Sequence, residues 1–182
     1  MKVCVVSDSH DRADSLAHAV GEARELGAQA VIHCGDLIGA QTILAALEHG
    51  LPIHLIHGNN LGDAQATHRQ ARKSAGAAGR GAAGVLHYHG AEARLELAGR
   101  RIFVVHYDHY GYAMACTGEW DLVCCGHSHH AEVKRVPDVK GGSSWLVNPG
   151  TVAGLAAPCT WVMADLAAMS FDVRELGRTR SP

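Results

Sequence analysis

Seven residues able to ligate a metal stand just past five apolar runs of the chain. Asp8 and His10 follow Lys2–Ser7, and Asp36 follows Gln29–Cys34 across Gly35. Asn59 follows Pro52–His57 across Gly58, His106 ends Arg101–Val105, and His127 and His129 follow Asp121–Cys125 across Gly126. Carboxylate and imidazole together suit borderline divalent ions such as Mn, Zn, Fe, Co or Ni. Seven ligands are too many for one tetrahedral ion and suit two ions if one carboxylate bridges them. Two ions about 3.5–4 Å apart clamp the attacking and leaving oxygens of a phosphoryl group, and a hydroxide shared between them supplies the nucleophile. The glycines before Asp36 and Asn59 let the chain turn sharply as it leaves each run. Each fragment alone is ordinary turn chemistry: Asp-x-His, Gly-Asp and Gly-Asn all occur in turns. His-x-His is more specific, because alternate residues of an extended segment share a face. The set of five in one order carries the inference.

The elements that must position these residues follow from periodicity. Lys2–Ser7, Gln29–Cys34 and Pro52–Ile56 read as strands. Asp14–Leu26, with apolar Leu16, Ala17, Val20, Ala23 and Leu26, reads as a helix stopped by Gly27, and Ala40–Leu47 as a second helix. Strand, helix, strand, helix, strand implies a parallel sheet, whose sites form at the carboxyl ends of its strands. Asp63–Ala78 is helix-compatible, and the Ala/Gly-rich Ser74–Gly84 reads as a mobile surface loop. Arg94–Ala98 and Arg101–His106 read as a hairpin, Tyr110–Thr117 as a helix and Asp121–Cys125 as a strand. Ala131–Val136, Ser143–Val147, Thr160–Asp165 and Ser170–Glu175 read as further strands, mostly antiparallel.

Composition narrows the class. The chain of 182 residues carries a formal charge of −2, with 47% apolar and 19% charged residues. That fits one folded domain over residues 1–182, with no basic footprint for nucleic acid. No apolar run approaches the ~18–20 residues that span a bilayer, and Met1-Lys2 leads straight into a strand-like run, so a cytoplasmic protein without membrane partners is expected. The six cysteines form no C-x-x-C pair and read as reduced thiols. The 14 histidines exceed what a site needs. His33 and His57 adjoin ligand-bearing turns, His18, His49 and His68 are expected to be exposed, and His54, His87, His89 and His130 have no assigned place.

Asp8-x-His10, Gly35-Asp36, Gly58-Asn59, His106 and Gly126-His127-x-His129 together resemble the calcineurin-like metallophosphoesterases. The Ser7–Asp11 opening, His33-Cys34-Gly35-Asp36 and Asn148-Pro149-Gly150-Thr151 resemble its compact bacterial and archaeal phosphodiesterase branch, which includes a metal-poor retromer scaffold subunit. The resemblance implies a four-layer α/β/β/α sandwich of two mixed β-sheets flanked by helices. It implies two divalent ions, manganese foremost with Zn, Fe, Ni or Co as alternatives. Asp8, His10, Asp36 and His129 would hold one ion; Asp36, Asn59, His106 and His127 would hold the other. It implies hydrolysis of a small phosphodiester by a metal-bridging hydroxide. A phosphomonoesterase, a nucleotide pyrophosphohydrolase and a protein-interaction scaffold are the alternatives, and a homo-oligomer is compatible with all of them. Asn148-Pro149-Gly150 would be a structural turn.

Three departures from the family pattern stand out. Asn60 sits where many relatives carry a His that protonates the leaving group, and an amide supplies no titratable proton. His106 is followed by Tyr107-Asp108-His109 rather than Gly, which makes His109 a competing ligand or a candidate acid. Arg69, Arg72, Lys73 and Arg80 in and beside the Ala/Gly-rich stretch could reach a phosphate, although solvated charge is the simpler reading.

Overall fold

The structure is a computed structural model that describes residues 1–77 and 83–177. Strands β1 (Lys2–Val6), β2 (Ala28–His33), β3 (Ile53–Leu55) and β4 (Leu86–Tyr88) run parallel. Antiparallel β10 (Thr160–Asp165) and β11 (Ser170–Glu175) extend this sheet beyond β1, in the order β11-β10-β1-β2-β3-β4. The second sheet has the order β5-β6-β7-β9-β8, from β5 (Glu92–Leu97), β6 (Arg100–Val105), β7 (Leu122–Cys124), β8 (Ala131–Pro137) and β9 (Ser143–Pro149). Here β6, β7 and β9 are parallel neighbours, while β5 and β8 pair antiparallel at the edges.

Both faces of the central strands are covered, which is why they read as continuous rather than alternating apolar runs. On β1, Val3 and Val5 enter the core between the sheets, against Ile102, Val104, Leu122, Cys124 and Val147. Cys4 and Val6 face the other way, toward Leu16, Ala19, Val20 and Ala23 of α1 (Ala13–Glu25). A third core lies outside the second sheet, where Ala115 of α4 (Asp108–Ala115) meets Phe103, Val123, Cys125 and Leu146. The layers are therefore helix, sheet, sheet, helix, as expected. Truncating a side chain such as Leu16 or Ile102, each fully buried, costs about 2–5 kcal/mol because the cavity cannot fully collapse.

Some expected elements shift. Ala40–Leu47 is a 3₁₀ turn over Ala40–Ile43 followed by one turn of helix, α2 (Leu44–Leu47). Ser74–Ala77, expected in a loop, forms the last turn of α3 (Ala64–Ala77); alanine's high helix propensity outweighs the single Gly76. The remainder of that loop, with Arg80, falls largely outside the described residues. Strand β4 has no counterpart among the expected elements. Its three residues are too few to show a period, and its partner β3 holds it in the sheet. Among the described residues, no helix is long and apolar enough to cross a membrane. Cys4, Cys34, Cys124 and Cys125 are buried free thiols; Cys116 and Cys159 are free and half-buried.

Candidate metal centre

Parallel β1, β2 and β3 of one sheet and β6 and β7 of the other deliver their carboxyl ends to a common edge. Asp8 and Asp36 are locked side by side there, because the Asp8 amide donates to the Gly35 carbonyl at 3.0 Å and the His10 amide to the Asp36 carbonyl at 3.0 Å. Thr151, fully buried, donates its hydroxyl to the Asp8 carbonyl at 2.9 Å. The backbone is bent hard at these residues. Asp8 (φ 53°), His10 (40°), Asp36 (55°), His127 (70°) and His129 (60°) all lie in the left-handed region. That conformation costs an L-residue about 1–2 kcal/mol and persists where the surroundings impose it, commonly at functional sites.

The side chains converge in two groups. In the first, Asp8 Oδ1 lies 3.2 Å from His129 Nε2 and 3.7 Å from His10 Nε2. The two Nε2 atoms are 3.2 Å apart. In the second, Asn59 Oδ1 lies 2.9 Å from both His106 Nε2 and His127 Nδ1. Asp36 stands between the groups. Its Oδ2 faces His10 Nε2 at 3.7 Å and its Oδ1 faces His106 Nε2 at 3.4 Å. Two sets of atoms are close enough to share an ion: Asp8, His10 and His129, and Asp8, Asp36 and His106.

The ring tautomers follow from second partners. His106 Nδ1 lies 2.8 Å from the Cys34 carbonyl and His129 Nδ1 lies 2.9 Å from the Leu155 carbonyl. A carbonyl only accepts, so each Nδ1 carries a proton, and each ring turns its Nε2 inward. His129 Nε2 therefore faces the Asp8 carboxylate, and His106 Nε2 faces two oxygen acceptors, Asp36 Oδ1 and Asn59 Oδ1. Asp8 Oδ1 is buried with no hydrogen-bond donor among the described residues. Acceptors in this opposition need positive charge between them, as protons or as cations, and the mixed O/N donor set fits divalent ions.

Two glycines make the approach feasible. A Cβ on Gly58 would sit 2.1 Å from Asp36 Oδ1, and one on Gly126 would sit 2.0 Å from Ser7 Oγ and 2.7 Å from Asp8 Oδ2. The Gly-Asn and Gly-His spacings thus reflect sterics as well as turning.

All seven candidate ligands of the sequence reading come together, but His109 does not join them. It is exposed on α4, its Nδ1 3.5 Å from Asp108 Oδ1. Its ring packs on Tyr107 and Tyr110, and the Tyr107 ring, 4.8 Å from His127, stands between it and the cluster. Arg69 pairs with Asp63 at 3.5 Å on the outside of α3. Asn148 serves the turn: its amide donates to the Gly126 carbonyl at 2.8 Å and to Ser128 Oγ at 3.0 Å, holding the segment that carries His127 and His129.

Other contributors stand outside the candidate ligand set. Asn60 clamps Asp36, with its backbone amide on Oδ1 at 2.9 Å and its side-chain amide on Oδ2 at 2.6 Å. His33 is fully buried, accepts from the Gly35 amide at Nδ1 and lies 3.0 Å from Ser9 Oγ through Nε2. Burial, and then the neighbouring His106, push its imidazole down to about 3, so it stays neutral. Burial also drives the Cys34 thiol well above its ordinary value, which leaves it protonated and unreactive. A cavity of about 460 Å³, lined by Asp14, His18, Gly154 and Cys159 among others, includes none of the seven candidate ligands in its wall. Its rim is the loop whose Leu155 carbonyl holds His129.

Comparison with known proteins finds the same fold. An archaeal phosphodiesterase superposes with a TM-score of 0.79 at 21% identity, covering 97% of this chain and 100% of its own. The phosphoesterase Yfce from E. coli superposes at 0.60 with 17% identity, covering 97% and 100%. Vps29 of Entamoeba histolytica, complexed with zinc, superposes at 0.52 with 17% identity, covering 97% and 98%. None of the curated proteins matches by sequence. The sequence model of the calcineurin-like phosphoesterase superfamily domain matches residues 1–169. With its two-sheet sandwich and its carboxylates and imidazoles gathered at the strand ends, the chain belongs to the calcineurin-like phosphoesterase superfamily.

Proposed function

We propose that the chain hydrolyses phosphodiesters at a centre of two divalent ions. Asp8, His10, Asp36 and His129 hold one, and Asp36, Asn59, His106 and His127 hold the other. Bound there, the ions supply Lewis-acid stabilisation of the phosphoryl oxygens and an activated water as nucleophile. Manganese is the ion favoured by ligand type, because carboxylate and amide oxygens accompany the imidazoles, with Zn, Fe, Ni and Co as alternatives. The single observation that carries the reading is the buried Asp8 Oδ1, without a hydrogen-bond donor among the described residues, facing His129 Nε2 at 3.2 Å.

The protein's own residues orient and neutralise. Asp36 turns one oxygen toward each group of histidines and is held in that pose by Asn60. Cys34 and Leu155 fix the tautomers of His106 and His129 through their carbonyls. Asn60, with its amide committed to Asp36, has no proton to give a departing oxygen. Turnover should therefore fall as the leaving group becomes more basic, so aryl diesters should outpace alkyl diesters.

The test is an activity screen on metal-stripped protein, crossing Mn²⁺, Zn²⁺, Ni²⁺, Co²⁺ and Fe²⁺ with matched aryl mono- and diesters. Metal-dependent cleavage with the diester preferred is expected. A preference for the monoester moves the reading to a phosphomonoesterase. No cleavage of either with any ion overturns it.

A further inference from the structure

We propose that His54, His87 and His89 form a separate binding site for one late first-row divalent ion, Zn²⁺, Ni²⁺ or Cu²⁺. The strand register sets them together. His54 of β3 pairs with Ile32 of β2 on one side and with His87 of β4 on the other. Ile32 faces the core between the sheets, so His54 and His87 share that face, and His89, two residues on, follows the same alternation. The three rings stack: His54 lies 4.9 Å from His87 and 5.3 Å from His89, with interplanar angles of 17° and 20°.

Two of the three donors, His54 Nδ1 and His89 Nε2, are spaced for a single ion. They lie 3.1 Å apart. Two nitrogens bound to one tetrahedral ion at about 2.0–2.1 Å are separated by about 3.3 Å. His87 and His89 are exposed at the sheet edge, so His87 reaches the same ion by turning its ring off the stack. Burial and the adjacent imidazoles lower the pKa of His54 to about 4 and lower that of His89, which keeps both in the neutral, ligating form at pH 7. Neutral imidazoles without a carboxylate favour the ions late in the affinity series over Mn²⁺. The site lies at the β3–β4 edge, and Asn59 stands in the turn that follows β3.

The test compares wild type with the single variants His87→Gln and His89→Gln and with the double variant. Zn²⁺ bound per chain is measured by equilibrium dialysis, and the histidine ring nitrogens are followed by long-range ¹H–¹⁵N NMR. Wild type should bind one equivalent more than the double variant, whatever number the strand-end centre holds, so the result is separable from failure of the phosphoesterase reading. Each single variant should bind that equivalent at least about tenfold more weakly. The ring signals of His54 and His89 should move during that step. Equal stoichiometry in wild type and double variant, with unmoved rings, overturns the proposal and leaves a hydrogen-bonded stack.

Discussion

Two groups of histidines differ in almost every physical respect. At the strand ends, imidazoles face buried carboxylates, and two have their second nitrogen fixed by a backbone carbonyl. Three of those four histidines, and both aspartates, have left-handed backbones. At the β3–β4 edge, His54 and His87 lie on ordinary strand and His89 just past it; they stack on one another, and among the described residues none pairs with a carboxylate. The first group is held by carboxylates and backbone carbonyls; the second is held by stacking and one ring–ring hydrogen bond. Preorganisation with anionic oxygens marks the catalytic candidate, whereas clustering alone marks at most an ion-binding patch.

The sharpest way to break this contrast is Asp36→Ala. It removes both oxygens that face the two histidine groups and should lower phosphodiesterase turnover by about 10³-fold or more, the scale of losing several kcal/mol of charge stabilisation. Steady-state kinetics at saturating Mn²⁺ checks this, and a loss under tenfold would deny Asp36 its central place. Asn60→Ala comes next. Releasing the clamp on Asp36 should weaken Mn²⁺ binding by about 10–100-fold, measured by titration; unchanged affinity would show that Asp36 needs no support.

A smaller effect tests the neutral surroundings of the centre. The folded pKa of His33, about 3, lies below the ordinary ~6.5 of an unfolded chain. The unfolded state therefore binds an extra proton between those values. His33's contribution is fully present above about pH 6.5 and is lost as pH falls toward 3, by up to about 1.4 kcal/mol per unit. Urea unfolding of metal-stripped protein should show stability falling from pH 6.5 to 4, with a shallower slope in His33→Gln. Parallel slopes would place the acid sensitivity elsewhere. The smallest change is expected for His109→Ala: less than about twofold with an activated aryl diester, where no acid is needed. A large loss confined to an alkyl diester would instead identify His109 as the proton donor.

Much of the centre was legible because a parallel sheet converts sequence order into spatial convergence. Residues just past β1, β2, β3, β6 and β7 had to meet if those runs were parallel strands. Choosing between His106 and His109 required the end of β6, which turns His106 inward and leaves His109 on the exposed side of α4. The clamp of Asn60 on Asp36 was not legible, because it depends on the turn after Gly58 and not on residue type. The carbonyls of Cys34 and Leu155 are backbone atoms that any residue could supply, so no letter of the sequence marks them. The β3–β4 histidines stayed unplaced for a related reason: β4 is three residues long, and only its register against β3 brings His87 and His89 to His54.

The central claim is that Asp36 joins two ion sites into one centre. Electron paramagnetic resonance of Mn²⁺ titrated into metal-stripped wild type, Asn59→Ala and Asp36→Ala tests it most directly. Wild type should bind two coupled Mn²⁺ per chain, Asn59→Ala should retain one tightly and the other weakly, and Asp36→Ala should lose the coupled signal altogether. Two coupled ions in Asp36→Ala, or a single uncoupled ion in wild type, would contradict the account.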